Sequence, residues 1–194
     1  MDLELKRLTE RAEIGRIYRR YMKADFPANE LKPLAMIYEA MDRDDYACYG
    51  LYAGEELLGY AFFYVLRHEQ GGRYLFDYFA VAPGRRDAGL GSAFLRLLCE
   101  ALRAADCVVG EVEDPDTAQD EGSRSTRERR LRFYLRNGVL DTGVRARVYG
   151  VDYRVLELPT ARTHSREALR EIYAALYQSM LPPAFFRRHF LVKE

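Results

Sequence analysis

Apolar positions along the chain change period several times, and each change marks an element. Ile14, Ile17, Tyr18, Tyr21 and Met22 recur every three or four residues, which predicts a helix. A short strand near Leu3–Leu8 precedes it, Thr9 is its expected cap, and Phe26-Pro27 ends it. Leu34, Ile37, Tyr38 and Met41 form the stripe of a second helix, followed by the polar break Asp42–Asp45. Three strands follow. Tyr46–Tyr52 is aromatic-rich and stops at the Ala53-Gly54 turn. Leu57–Leu66 is apolar without interruption, the pattern of a strand buried on both faces. Gly71-Gly72 turns the chain into Tyr74–Val81. Beyond Pro83, helical spacing returns over Leu90–Ala105 through Phe94, Leu97, Leu98 and Leu102.

A strand at Cys107–Val112 comes next, then a helix expected from Ser125, because Ser125-Thr126-Arg127-Glu128 fits the capping box S-x-x-E. Asn137-Gly138 ends that helix, and Val144–Tyr149 with Tyr153–Leu158 reads as a hairpin around Gly150. Pro159 closes this unit. Leu169, Ile172, Tyr173, Leu176 and Met180 mark a helix over residues 165–180, stopped by Pro182-Pro183. The aromatic tail Ala184–Leu191 is expected to dock on the body or on a second subunit, since free tails rarely carry such residues. This order predicts an α/β domain with a mixed sheet over residues 1–158, and a C-terminal helical appendage over residues 159–194.

Composition narrows the function classes. The 194 residues hold 48% hydrophobic and 31% charged positions, enough for a packed core. Thirty basic residues balance thirty acidic ones, which removes the basic footprint of a dedicated nucleic-acid binder. The arginine run 124–136 therefore reads first as a solvated helix face. No apolar run is long enough to span a bilayer, and the charged start lacks a signal-peptide core, so a cytoplasmic protein without membrane partners is expected. Cys48, Cys99 and Cys107 show no CxxC spacing, and His68, His164 and His189 are scattered. Neither a disulfide framework nor a metal site is expected from that pattern.

Candidate chemistry gathers around residues 77–92. A buried strand runs through Phe79-Ala80-Val81 into a glycine-containing loop that opens a long helix. Unpaired N–H groups and the helix dipole at such a junction form an anion cradle, and Gly89 and Gly91 let main chain approach a phosphate. A plain strand-to-helix turn would show the same glycines. There is no Walker Gly-Lys-Ser/Thr and no G-x-G-x-x-G. Asp77 is a charge inside an otherwise apolar strand, costly unless it is paired or functional. Glu111 and Glu113 share one face of the next strand. These carboxylates can take a proton, attract a cationic substrate, or form ion pairs with arginines.

Arg86-x-x-Gly89-x-Gly91, between a strand with a V-x-P exit and a helix, resembles the Q/R-x-x-G-x-G/A signature of the GNAT family of N-acetyltransferases. Asp77-Tyr78-Phe79-Ala80-Val81, Glu111-Val112-Glu113 and Arg132-Phe133-Tyr134-Leu135-Arg136-Asn137-Gly138 are similar to segments of bacterial members. The resemblance covers roughly residues 1–158. It implies a mostly antiparallel central sheet flanked by helices, with splayed fourth and fifth strands. It implies transfer of an acyl group, typically acetyl, from coenzyme A to a primary amine of a small molecule or protein, by direct attack on the thioester and without a metal. Carried over residue by residue, Arg86, Asp87, Ala88, Gly89, Leu90, Gly91 and Ser92 would bind the pyrophosphate. Main-chain atoms of Phe79, Ala80 and Val81 would bind the pantetheine. Tyr134 would act as the acid, with Asp77, then Glu113, as base. Phe26, Glu30, Tyr38 and Glu111 would contact the acceptor. Asp87 departs from the family pattern, and an acid beside a pyrophosphate is repulsive unless it points to solvent. A non-catalytic sensor that binds coenzyme A or a partner is the alternative reading, and a homodimer is compatible with the aromatic tail.

Overall fold

The computed structural model describes residues 2–28, 30–82 and 89–193. Its elements are β1 (Glu4–Leu8), α1 (Arg11–Ile17), a π-helical stretch (Tyr18–Met22), α2 (Lys23–Asp25), α3 (Leu34–Asp42), β2 (Tyr46–Ala53), β3 (Glu56–Leu66) and β4 (Arg73–Val81). They continue as α4 (Leu90–Ala101), β5 (Cys107–Glu113), a 3-10 turn (Pro115–Thr117), α5 (Glu121–Arg136), β6 (Leu140–Val148) and β7 (Val151–Glu157). The chain ends with α6 (Arg166–Met180), α7 (Pro183–His189) and β8 (Phe190–Lys193). The strands are ordered β1-β2-β3-β4-β5-β7-β6-β8. The β4–β5 pairing is parallel, whereas β1–β2, β2–β3, β5–β7, β6–β7 and β6–β8 are antiparallel. The sheet is mixed, as the pattern predicts, and mostly antiparallel, as the resemblance implies. Residues up to Val65 with Phe76–Leu98 pack as one compact unit, and Leu66–Leu75 with Cys99 onward pack as another.

In the first unit β2 and β3 are buried along almost their whole length, as the uninterrupted apolar run of β3 requires. Ile14, Ile17 and Met22 from the first helical segments, Ile37 from α3 and Phe94 from α4 fill the core. An aromatic chain runs from Phe63 to Phe76 (ring centroids 4.3 Å apart), to Phe79 (5.6 Å) and to Phe94 (5.2 Å). Thr9 does not cap α1. The N-cap is Glu10, without a side-chain bond, and its carbonyl accepts the N–H groups of Glu13 and Ile14. Burial of Ile14 and Ile17, rather than a cap, fixes where this helix starts. Gly59 on β3 has a steric role. A Cβ placed there would lie 2.8 Å from the Ala80 carbonyl oxygen of β4 and 3.1 Å from the Phe94 ring.

In the second unit the opening of β4 pairs with β5 through Arg73↔Cys107, Tyr74↔Val108 and Leu75↔Val109. β5 pairs with β7, and the β6–β7 hairpin turns at Tyr149-Gly150, both at positive φ (49° and 84°), the type I′ form that suits strand twist. Helix α5 begins a turn earlier than its capping-box pattern predicts. Asp120 is the cap, accepting from the Ser123 N–H at 2.9 Å and the Ser123 hydroxyl at 2.7 Å. Ser125 therefore lies inside the helix, whose polar first turns carry no apolar period to announce them. Helix α6 starts where predicted, with Ser165 accepting from the Ala168 N–H. The aromatic tail docks within this unit: β8 pairs with β6, and the Phe190 ring lies 4.8 Å from that of Tyr177.

Two consequences are measurable. Gly59→Ala is expected to destabilise by about 1–3 kcal/mol, because the atom it meets is main chain and cannot swing away; urea unfolding checks this, and an unchanged midpoint contradicts it. Asp152 accepts from Arg147 and Lys193, and the Arg147 hydrogen bond leads in lowering its carboxyl from 3.8 to about 2. A lowered folded-state value means stability present above about pH 4 and lost as pH falls toward 2. With the cations largely exposed, the loss is on the order of 1 kcal/mol, and acid titration of Asp152→Asn should lack it.

Candidate functional site

The chain is described up to Ala82, just past β4, and again from Gly89. Phe79, Ala80 and Val81 are half-buried at the strand's C-terminal end, and the Ala82 N–H donates to the Leu58 carbonyl at 2.8 Å. The expected pyrophosphate contacts Arg86, Asp87 and Ala88 lie outside the described residues. Gly89 has φ +73°, and nothing among the described residues lies within 4 Å of where a Cβ would stand. Its carbonyl accepts the Ala93 N–H, so Leu90, Gly91 and Ser92 form the first turn of α4. Amides of a first turn have no acceptor one turn earlier in their helix, and the dipole adds partial positive charge. Positive φ favours glycine, and an α-carbon without a side chain lets an anion pass close to main chain.

Asp77 on β4 is mostly buried, with 11% of its side chain exposed. The Lys32 ammonium pairs with Oδ1, and the Tyr46 hydroxyl donates to Oδ2. The next residue continues the same attachment. The Lys32 N–H donates to the Tyr78 hydroxyl at 2.8 Å, and that hydroxyl donates to the Glu30 carbonyl at 3.0 Å. Burial, reinforced by Asp77, pushes the phenols of Tyr46 and Tyr78 well up, so both stay protonated donors at ordinary pH. Phe26 packs edge-on against Tyr78 at 5.0 Å. The structure thus brings Phe26, Glu30 and Asp77 together around the segment that joins α2 to α3. It places Tyr38 elsewhere: its hydroxyl donates to the Arg11 carbonyl at 2.7 Å and braces α1 against α3.

In the second unit Glu111 and Glu113 sit on the same face of β5 but take different partners. Glu111 accepts hydroxyl bonds from Tyr173 and, at 2.8 Å, Tyr177 of α6. Glu113 pairs with Arg127 at 2.6 Å and faces Arg130 at 3.8 Å, along a groove that includes Ser123 and Thr126. Tyr134 ends α5 half-buried, its carbonyl accepting the Asn137 N–H at 3.0 Å. Burial pushes its phenol up to about 12, against the pull of Arg130. Lys32, Tyr46, Tyr173 and Tyr177 are site neighbours that sequence reasoning missed. The α6 tyrosines lie on a stripe indistinguishable from core, and Lys32 is an ordinary loop lysine until folding sets it beside Asp77.

A family model described as the acetyltransferase (GNAT) family matches residues 12–121. The chain belongs to the GNAT acetyltransferase family. That match contains the β4–α4 junction and Asp77, and it ends before Tyr134. No curated protein matches the chain. Solved structures share the GNAT fold at low identity. A GNAT-family protein from Bacteroides thetaiotaomicron is 19% identical, with 91% of this chain and 97% of that one covered at a TM-score of 0.70. An N-acetyltransferase from Staphylococcus aureus is 15% identical, with 82% and 98% covered and a TM-score of 0.57. An acetyltransferase from Bacillus subtilis in complex with CoA is 16% identical, with 81% and 99% covered and a TM-score of 0.53. No helix among the described residues is long and apolar enough to cross a membrane.

The Asp77 attachment predicts a measurable coupling. Lys32→Met is expected to cost about 1–2 kcal/mol, because a mostly buried carboxylate loses its cation. In an Asp77→Asn background the same change should cost about 1 kcal/mol less. Denaturant unfolding of the four proteins decides, and strictly additive effects contradict the pairing.

Proposed function

We propose that this GNAT protein is an acyl-coenzyme A-dependent N-acyltransferase, with acetyl-coenzyme A as donor and a primary amine of a small molecule or protein as acceptor. The observation that carries the reading is Gly89: a positive-φ residue at the start of α4, with no described residue within 4 Å of where a Cβ would stand, inside the family-matched segment. Acetyl-coenzyme A, when bound, would supply the acyl group already activated as a thioester, leaving coenzyme A as the thiol product.

In this reading the chain's own residues divide the work. Amides of Gly89–Ser92 hold the diphosphate, and Arg86, Asp87 and Ala88 complete the set that the resemblance implies. Main-chain groups of Phe79–Val81 hold the pantetheine in the manner of an added strand, and one N–H there meets the negative charge that develops on the carbonyl oxygen. Asp77, then Glu113, takes the ammonium proton, directly or through one water; both carboxylates are ion-paired, Asp77 with Lys32 and Glu113 with Arg127. Asp77 also fixes the Glu30–Lys32 segment. Glu111 adds negative charge toward a cationic acceptor. Phe26 and Glu30 shape the acceptor approach through that segment, with Tyr38 holding the helices behind it.

Tyr134 has a constrained role. A phenol raised to about 12 is protonated throughout the working range. Full transfer of its proton to a thiolate whose thiol has pKa about 8.5 is uphill by roughly 5 kcal/mol. Its contribution is therefore a hydrogen bond to the departing sulfur, with the proton completing its transfer later from solvent.

Saturating coenzyme A or acetyl-coenzyme A, at 100 times Kd, should stabilise the protein by about 2.7 kcal/mol. An acetyl-transfer screen over polyamines, aminoglycosides, amino acids and peptide N-termini should find a competent amine. Stabilisation by ATP or NAD but not by coenzyme A contradicts the reading. Binding of coenzyme A with no transfer to any amine favours the non-catalytic sensor. Tyr134→Phe should lower kcat at least tenfold while leaving coenzyme A affinity within twofold; an unchanged kcat removes Tyr134 from the mechanism.

A further inference from the structure

In the second unit, three side chains that the sequence separates by 50 and 7 residues meet around a common point. Cys107 opens β5, Glu157 closes β7, and His164 lies in the connector just before the Ser165 cap of α6. Glu157 is 4% exposed and Cys107 is fully buried. The Cys107 thiol lies 3.7 Å from Glu157 Oε1, and His164 Nδ1 lies 2.6 Å from the same oxygen. All three donor atoms fall within 4.8 Å of one another.

We propose that Cys107, Glu157 and His164 form a binding site for a divalent transition-metal ion of the zinc type. The donor set is one sulfur, one imidazole nitrogen and one carboxylate oxygen, each an ordinary zinc ligand. Distances decide whether one ion can serve all three. A tetrahedral ion with usual bond lengths holds its sulfur and oxygen ligands about 3.6 Å apart, and its nitrogen and oxygen ligands about 3.4 Å apart. The sulfur–oxygen separation already matches. The nitrogen–oxygen contact has to open by somewhat under 1 Å, within reach of a connector side chain.

An ion pair between Glu157 and His164 would be complete without a thiol. The thiol is nevertheless aimed at the same oxygen, which is the arrangement a shared ion needs. The surroundings supply a second, independent feature. Ligating histidines commonly give their other ring nitrogen to a carboxylate, which fixes the ring's orientation. Here His164 Nε2 faces Asp106 Oδ1 at 3.7 Å, and Asp106 is only 2% exposed. Asp106 is itself held by Arg73 Nε at 2.7 Å, with His68 Nδ1 at 3.4 Å. The site would take an ion in exchange for the thiol and ring protons, with water in the fourth position. It would pin the connector before α6 onto the ends of β5 and β7. This inference does not depend on the acyl-transfer reading, because none of its residues is assigned to that chemistry.

Cobalt(II) is the probe, added to the tag-free full-length protein after chelator treatment. One equivalent should produce a near-ultraviolet thiolate-to-cobalt charge-transfer band and the intense visible bands of tetrahedral cobalt. Zinc should displace the cobalt and raise the Tm of the wild type. Cys107→Ser should abolish the charge-transfer band, His164→Gln should weaken cobalt binding at least tenfold, and Cys48→Ser and Cys99→Ser should leave the band intact. Should Cys107→Ser fail to fold, loss or retention of the band in the other two cysteine variants still assigns the sulfur. The absence of a charge-transfer band, binding through oxygen ligands alone, or a band that disappears with Cys48 or Cys99 overturns the proposal.

Discussion

The parallel ladder between β4 and β5 is three pairs long, and the rest of the account depends on that shortness. It holds Arg73↔Cys107 to Leu75↔Val109. A strand must satisfy its main-chain donors and acceptors wherever water is excluded. β4 continues for six residues past the ladder, Phe76 to Val81, and those residues carry Asp77, Tyr78 and the segment proposed for pantetheine. Gly59 shapes the stretch from β3, since the absence of a Cβ is what lets the Ala80 carbonyl and the Phe94 ring come so close.

Electrostatics follow the same frame. Placing carboxylates among apolar strands is costly, and this protein offsets the cost with cations at Asp106, Asp114 and Asp152 and with tyrosine hydroxyls at several others. Tyr46 donates to Asp77, Tyr52 to Glu13, Tyr60 to Asp25 at 2.8 Å, and Tyr173 and Tyr177 to Glu111. A phenol buries a large apolar ring and still presents one donor, which suits an acid at the border of a core. That use leaves Asp77 and Glu111 with oxygens held by hydroxyls, while Glu113 is held by Arg127 and faces Arg130.

Much of the fold was legible because its signals are local. The unbroken apolar run of β3, the Gly71-Gly72 turn, the Asn137-Gly138 stop and the stripe of α6 each announce an element by short-range pattern alone. The start of α5 was illegible because its first turns are polar and Asp120 outcompetes Ser125 for the cap. The site was legible only where it is contiguous. The strand-to-helix junction shows itself as glycines after apolar residues, and Asp77 shows itself as a charge in the wrong place. Partners that the fold supplies from a distance do not show. Lys32 lies 45 residues from Asp77, and the two tyrosines that hold Glu111 look like core. The scattered histidines and lone cysteines read as unrelated, yet Cys107 and His164 converge on Glu157.

Amide hydrogen exchange with and without saturating coenzyme A tests the central claim most directly, because it reads the main chain that is supposed to do the binding. The account predicts slowed exchange at Phe79–Val81 and Gly89–Ser92, with β8 and α6 unchanged. Slowing confined to other elements, or none at saturation, would contradict it.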